Sequence, residues 1–293
     1  MMRVCRTPFL CLVVTLAAGL SQAAGLRVSP AQFIIHDVEP GRVYDIFKET
    51  GLRLTIYNEG DKTLSWMLST HRPSERGRWE KGYSEIPDAK WCWFDQTDVS
   101  SGPDNPAYGH LFIQIPEDPK YYNQHWVATL SVRGRPGAGP VSLAVDIRVQ
   151  IETKTVNDAT TVPDGALAFV PSEVVYVNAQ PGLNRQARVR IFNNDSTAHN
   201  YTVTSLFDDD SVDHKSYLTG GYRKIPEASW LDRPQTIQIG AGQSYELVLN
   251  LTVPQDAAHY GRKWEDIVLV QPDKGLAGFV RVKIETREKA ELP

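Results

Sequence analysis

The sequence predicts an all-β protein made of two tandem β-sandwich domains that arose by internal duplication. Three observations carry this. The same motifs recur in the same order along two halves of the chain, short runs alternate apolar and polar residues, and no stretch has the periodicity of a long amphipathic helix.

The repeat is clearest in GYSEIPDAKW (82–91) and GYRKIPEASW (221–230), identical at six of ten positions with an offset of 139 residues. Pro30 and Pro40-Gly41 correspond to Pro171 and Pro181-Gly182, and Ile56-Tyr57-Asn58 to Ile191-Phe192-Asn193. IPEDPKYYNQHWVATLSV (115–132) aligns with VPQDAAHYGRKWEDIVLV (253–270), sharing Pro116/Pro254, Asp118/Asp256, Tyr122/Tyr260, Trp126/Trp264 and Val132/Val270. RVQIET (148–153) returns as RVKIET (281–286). The units therefore span 26–153 and 167–286, with a linker at 154–166, polar and bearing Pro and Gly, and a C-terminal tail at 287–293.

Within each unit the strands show one dry and one wet face. Leu52, Leu54 and Ile56 oppose Arg53 and Thr55. Tyr245, Leu247, Leu249, Leu251 and Val253 alternate with mostly polar residues, as do Val145, Ile147, Val149 and Ile151. Turn signals such as EPG, NEGD, QPG and GAGQ separate these runs. Several short antiparallel strands in such a length indicate two sandwiches of immunoglobulin type.

Residues 1–23 read as a cleaved export signal. Arg3 and Arg6 precede the apolar run FLCLVVTLAAGL, and Ser21 and Ala23 suit the −3 and −1 positions of a cleavage site. Cys5 and Cys11 leave with that segment, so Cys92 has no intramolecular disulfide partner. Loss of two arginines leaves 29 basic against 35 acidic residues, a net of −6. Nucleic acid is therefore not an expected partner, because phosphate binding needs clustered Lys and Arg. No later segment reaches transmembrane length, and no stable membrane insertion is expected.

The order of these elements, from x-V-x-P through P-G, a strand ending in Asn, P-x-x-W and (I/V)-P-x-D, resembles the immunoglobulin-like modules common in exported bacterial proteins. The resemblance covers both units and implies adhesion, spacing or protein interaction. A weaker resemblance is to two-domain periplasmic pilus chaperones. Those imply two dissimilar domains with a paired basic anchoring site in the cleft, whereas these two units are near copies.

The candidate chemistry is sparse. Trp91 and Trp230, entering a strand behind Pro87 and Pro226, suit the end of a sandwich core, with an aromatic ligand platform as the alternative. Asp118 and Asp256 suit turn formation. Cys92 stands where the second unit has Leu231 and reads as a buried small hydrophobe; an intermolecular disulfide is its competitor. The acidic loop with Asp208, Asp209, Asp210 and Asp213 is permissive for calcium but lacks a binding-loop pattern, and reads as a solvated loop. His36, His71, His110, His125, His199, His214 and His259 show no zinc-like spacing, and no catalytic fingerprint is present. No catalytic, cofactor-binding or metal-binding residue is assigned, and no enzyme activity is expected.

The first unit has six extra residues before its IYN strand and an insertion-like DQTDVSSGPDNPAYGH after WCWF. Loops on a fixed scaffold carry specificity. The expected partner-binding residues are therefore Trp93, Asp95, Asp98 and Tyr108. The expected function is an exported, non-enzymatic interaction or structural protein of the periplasm or cell surface. It would bind a protein partner of the cell envelope or an extracellular assembly through loops or sheet edges. A pilus-type assembly chaperone and a carbohydrate-binding protein are the alternatives.

Overall fold

The computed structural model describes residues 25–77, 79–135, 143–157 and 162–289. The predicted export signal, with Cys5 and Cys11, lies outside the described residues, as do parts of the linker and tail. Unit 1 comprises β1 (Leu26–Ser29), β2 (Gln32–Val38), β3 (Val43–Asp45), α1 (Ile46–Thr50), β4 (Leu54–Asn58), β5 (Leu64–His71), β6 (Ser84–Glu85), β7 (Cys92–Phe94), β8 (Asp98–Ser101), β9 (Ala107–Gly109), β10 (Leu111–Gln114), β11 (His125–Gly134) and β12 (Ala144–Thr153). Unit 2 comprises β13 (Leu167–Val170), β14 (Glu173–Ala179), β15 (Asn184–Asn193), β16 (His199–Ser205), β17 (Arg223–Lys224), β18 (Leu231–Asp232), β19 (Thr236–Ile239), β20 (Ser244–Thr252), β21 (Lys263–Pro272) and β22 (Gly278–Thr286).

Each unit packs two sheets over its own core. In unit 1 one sheet runs β2-β12-β11-β5-β8, with β6 alongside β11. In unit 2 its counterpart runs β14-β22-β21-β16-β19, with β17 alongside β21. The alternation read from the sequence is the cause. Leu54 and Ile56 of β4 are buried while Thr55 and Tyr57 face outward, and Leu247, Leu249 and Leu251 of β20 are buried in the same way. Each such side chain contributes about 1.5–3 kcal/mol when buried. Pro30 and Pro171 mark the point in each unit where the first strand leaves one sheet for the other.

The repeated asparagine is a turn builder. Asn58 Nδ2 donates to Lys62 O at 2.6 Å and Ser101 O at 3.0 Å, and its Oδ1 accepts from Gly60 N. Asn193 makes the equivalent bonds to Thr197 O and Ile239 O and accepts from Asp195 N. Asp118 and Asp256 accept from the N–H two residues on, as expected of turn formers.

The copies differ in their second sheet. In unit 2 it is one sheet, β13-β15-β20-β18, with β15 and β20 paired along their length. In unit 1 it is split into β1-β4-β9 and β3-β10-β7. The split is made by the six extra residues, which form the five-residue α1 and its Gly51 cap. Asp45 caps the start by accepting from Lys48 N at 3.3 Å, and Gly51, at φ +73°, ends it with its N–H on Phe47 O. Ile46 is fully buried and wedges the strand apart.

The segment after WCWF is not an insertion. β8 pairs with β5 as β19 pairs with β16, and the turn that follows leads to β9 and β10 as it leads to β20. The offset between the copies falls only from 139 at Trp91/Trp230 to 138 at Pro116/Pro254, a single extra residue. Low identity in this stretch, not extra length, produced the appearance of a unique loop.

Cys92 is fully buried in β7, and burial pushes its thiol up to about 12. It therefore packs as a hydrophobe. Thiol-directed alkylation of the folded protein is expected to leave Cys92 unmodified, with Cys92 labelled only on unfolding. Labelling of Cys92 in the folded protein at neutral pH would contradict this.

Candidate functional site

The outer face of the β2-β12-β11 side of unit 1 packs against the outer face of β21 and β22 in unit 2. Tyr83 and Val127 from unit 1 meet Leu206, Phe207, Tyr217, Ile267, Leu269 and Phe279 from unit 2 in one buried apolar cluster. The GYSEIPDAKW element builds much of this contact. Gly82, at φ +83°, lies so close to Phe279 that a Cβ would sit 2.7 Å from its ring, which restricts this turn to glycine on both grounds. Its counterpart Gly221 has nothing within 4 Å, so the same element docks in one copy and is free in the other. Beyond the turn, Trp91 and Trp230 each end a 3₁₀ turn just ahead of the strand, 5.6 Å from Trp126 and 5.5 Å from Trp264, and close the ends of their cores.

Buried charge sits at the centre of the contact. Arg281, with no exposed surface, forks onto Glu152 across the boundary, Nε to Oε2 at 2.8 Å and Nη2 to Oε1 at 2.5 Å. Its Nη1 reaches Tyr217 O at 2.8 Å and the Glu265 carboxylate. Tyr83 donates to Glu152 Oε1 at 2.6 Å, and His36 Nδ1 lies 3.2 Å from Oε2. Burial alone would raise the Glu152 carboxyl, but the charges of Arg281 and His36 outweigh it and hold it well below the usual range. His125 stacks on Phe279 with ring centroids 3.8 Å apart, and burial pushes its imidazole down to about 4.

The acidic loop belongs to this frame. Asp209 takes an ion pair from Lys81 of unit 1 at 2.5 Å, and the hydrogen bonds of Lys81 and Ser211 keep its carboxyl low. Asp213 caps a 3₁₀ turn by accepting from Lys215 N. Asp209 thus ties the loop to unit 1, while Asp208, Asp210 and Asp213 are exposed, as expected of a solvated loop. Among the described residues, no group of three or more His, Cys, Asp or Glu side chains is placed to hold a metal ion.

Beside this frame, the first half of β12 has an open edge within the sheet. β12 pairs with β11 from Ala144 to Glu152, but β2 covers its other side only from Arg148 onward. Gly134 N–H donates to Leu143 O at 2.9 Å, so in the antiparallel alternation Val145 and Ile147 bond toward β11. The N–H and C=O groups of Ala144 and Asp146 therefore point away from it, and among the described residues no strand covers them. A groove of about 500 Å³ runs beside this edge, lined by Ala31, Gly77, Thr129, Asp146, Ile147 and Arg148. Leu143 and Val145 are partly buried against the core below. In unit 2 the corresponding stretch, Gly278–Val280, is screened: Phe169 and Leu167 crowd Gly278 on one side and unit 1 covers Phe279.

The residues expected to bind a partner lie elsewhere, on the opposite flank of unit 1. Asp95, Asp98 and Tyr108 line one cleft between β8 and β9, while Trp93 stacks on Phe112 on the neighbouring outer face. The open half of β12 was missed. Its alternation identified a strand, but nothing local shows that β2 begins too late to cover it.

A scan of protein-family models finds no match, and a search of curated proteins finds no relative. Among solved structures, a protein of unknown function from Porphyromonas gingivalis W83 is 14% identical, with a TM-score of 0.32, over 89% of this chain and 99% of that one. The Escherichia coli chaperone DraB is 12% identical, with a TM-score of 0.31, over 89% and 98%. The CsuC–CsuE chaperone–tip adhesion subunit complex of Acinetobacter baumannii gives 9% identity and a TM-score of 0.32, over 91% and 100%. The weaker resemblance read in the sequence thus recurs among these neighbours. At such scores it assigns no function, and the two-sandwich architecture rests on the strand pairing itself.

Proposed function

We propose that this is an exported, non-enzymatic binding protein of the periplasm or cell surface that takes up an extended strand of a protein partner on the open half of β12. The observation that carries it is the edge at Ala144–Ile147, uncovered among the described residues and beside a groove, in a unit packed against its neighbour through a buried contact. A strand added there would form its ladder with Ala144 and Asp146, whose outward backbone groups otherwise need water. An open edge is a hazard for aggregation, and natural sheets blunt such edges with charge; Asp146 does so here. A pilus-type assembly chaperone would use this same edge to take up a strand of a pilus subunit.

The test uses proline at the edge. Asp146→Pro removes one outward N–H and keeps the backbone ladder to β11, and proline is tolerated where the N–H faces solvent; the Ser131 Oγ bond to Asp146 Oδ1 is lost equally in Asp146→Ala, which controls for it. In pull-downs from the native envelope, the wild type and Asp146→Ala are expected to retain the same partner and Asp146→Pro to lose it. Equal capture by all three would reject the reading.

A further inference from the structure

The cleft between β8 and β9 serves neither the edge on β12 nor the interdomain frame. It has a volume of about 620 Å³ and a predominantly polar lining that includes Ser65, Asp95, Gln96, Asp98, Ser100 and Tyr108. Asp95 is fixed there, its Oδ1 accepting from both His110 N and Gln96 N at 3.0 Å. Asp98 is ion-paired with Arg135 at 2.5 Å. Arg135 offsets one of the two carboxylates of the lining, and the other, Asp95, is satisfied by backbone N–H groups.

Aromatic rings continue from this cleft across the outer face of unit 1. Tyr108, 39% exposed, has Arg53 over one face of its ring at 3.7 Å. Trp93 and Phe112, cross-strand partners on β7 and β10, lie 5.7 Å apart with their rings inclined by only 15°. The fold does not need these rings. At the equivalent positions of unit 2 stand Glu246, Asn250 and Asp232, paired in the same register.

We propose that this face of unit 1 binds a neutral oligosaccharide. Aromatic rings offer flat apolar area to the C–H faces of a sugar, and the adjoining carboxylate, amide and hydroxyl groups of Asp95, Gln96, Ser65 and Ser100 satisfy its hydroxyls. The carboxylate left over beside Arg135 disfavours an anionic ligand. An added protein strand does not fit here. The free edge of β9 is three residues long, it follows Pro106, which has no N–H, and the next N–H, of His110, is already taken by Asp95.

Titration calorimetry tests this with four soluble hexasaccharide probes: β-1,4-glucose, α-1,4-glucose, β-1,3-glucose and β-1,4-N-acetylglucosamine. At least one is expected to bind, and the intrinsic fluorescence is expected to change with it through Trp93. Tyr108→Ala and Gln96→Ala should each weaken that binding by about tenfold or more. Trp79→Ala, an exposed ring outside the cleft, and Asp146→Pro, on the β12 edge, should leave it unchanged. No binding of any probe at millimolar concentration overturns the proposal, and so does binding that Tyr108→Ala leaves intact.

Discussion

Arg281→Ala is expected to lower the stability of the protein by about 3–5 kcal/mol, because it strands two buried carboxylates without their cation. Arg281 and Glu265 have no exposed surface, and Glu152 retains only 5%. The remaining partners of Glu152 would be Tyr83 and His36, and Glu265 would keep only Thr219. The loss reflects uncompensated charge, not the net worth of the pair. A triple replacement, Arg281→Met with Glu152→Gln and Glu265→Gln, should therefore recover much of the deficit. Urea unfolding of the two variants separates these outcomes. Because the network spans the boundary, small-angle scattering of Arg281→Ala should also show the two units losing their fixed orientation.

Acidification should loosen the same contact, by up to about 3 kcal/mol from His125. Its imidazole titrates near 4 in the folded protein and near 6.5 when unfolded. Between those values the unfolded chain binds the proton and the folded one does not, so stability rises with pH across that window. The contribution is complete above about 6.5 and is lost as pH falls toward 4. Glu152, Arg281 and His36 face the ring from the packed strands, with Glu152 favouring the protonated form and the other two opposing it. Glu152 adds a second acid-sensitive step at lower pH, since its folded value lies below the unfolded 4.5. The His125→Phe variant keeps the stack on Phe279 and should flatten the stability profile between pH 4 and 6.5. An unchanged profile would place the acid sensitivity elsewhere.

Much of the fold was legible in the sequence because the repeat is written in residues with local jobs. Asn58 and Asn193 build turns, Pro30 and Pro171 mark the strand crossing, and alternating Leu, Ile and Val define the dry faces. The six extra residues were also visible, although their outcome was not: a five-residue helix with a buried Ile46 cannot be told from a loop by periodicity. The apparent insertion after WCWF was an error of alignment across a stretch where the copies share a path but few residues. The candidate sites were less legible. Asp95, Asp98 and Tyr108 do converge on one cleft, but Gln96, Ser65 and Ser100 carry no signal of their own. Arg281 and Glu152 looked like repeated strand residues, and their meeting depends on which end of one copy packs on which face of the other. The open edge of β12 is likewise a matter of tertiary register between strands far apart in sequence.

Residue-resolved amide hydrogen exchange across β12 tests the central claim most directly. In the free protein, Ala144 and Asp146 are expected to exchange as exposed amides while Val145 and Ile147, bonded to β11, stay protected. When partner is bound, Ala144 and Asp146 should become protected as well. Protection of both amides in the free protein, or partner binding that leaves them fast, would contradict an open edge that accepts a strand.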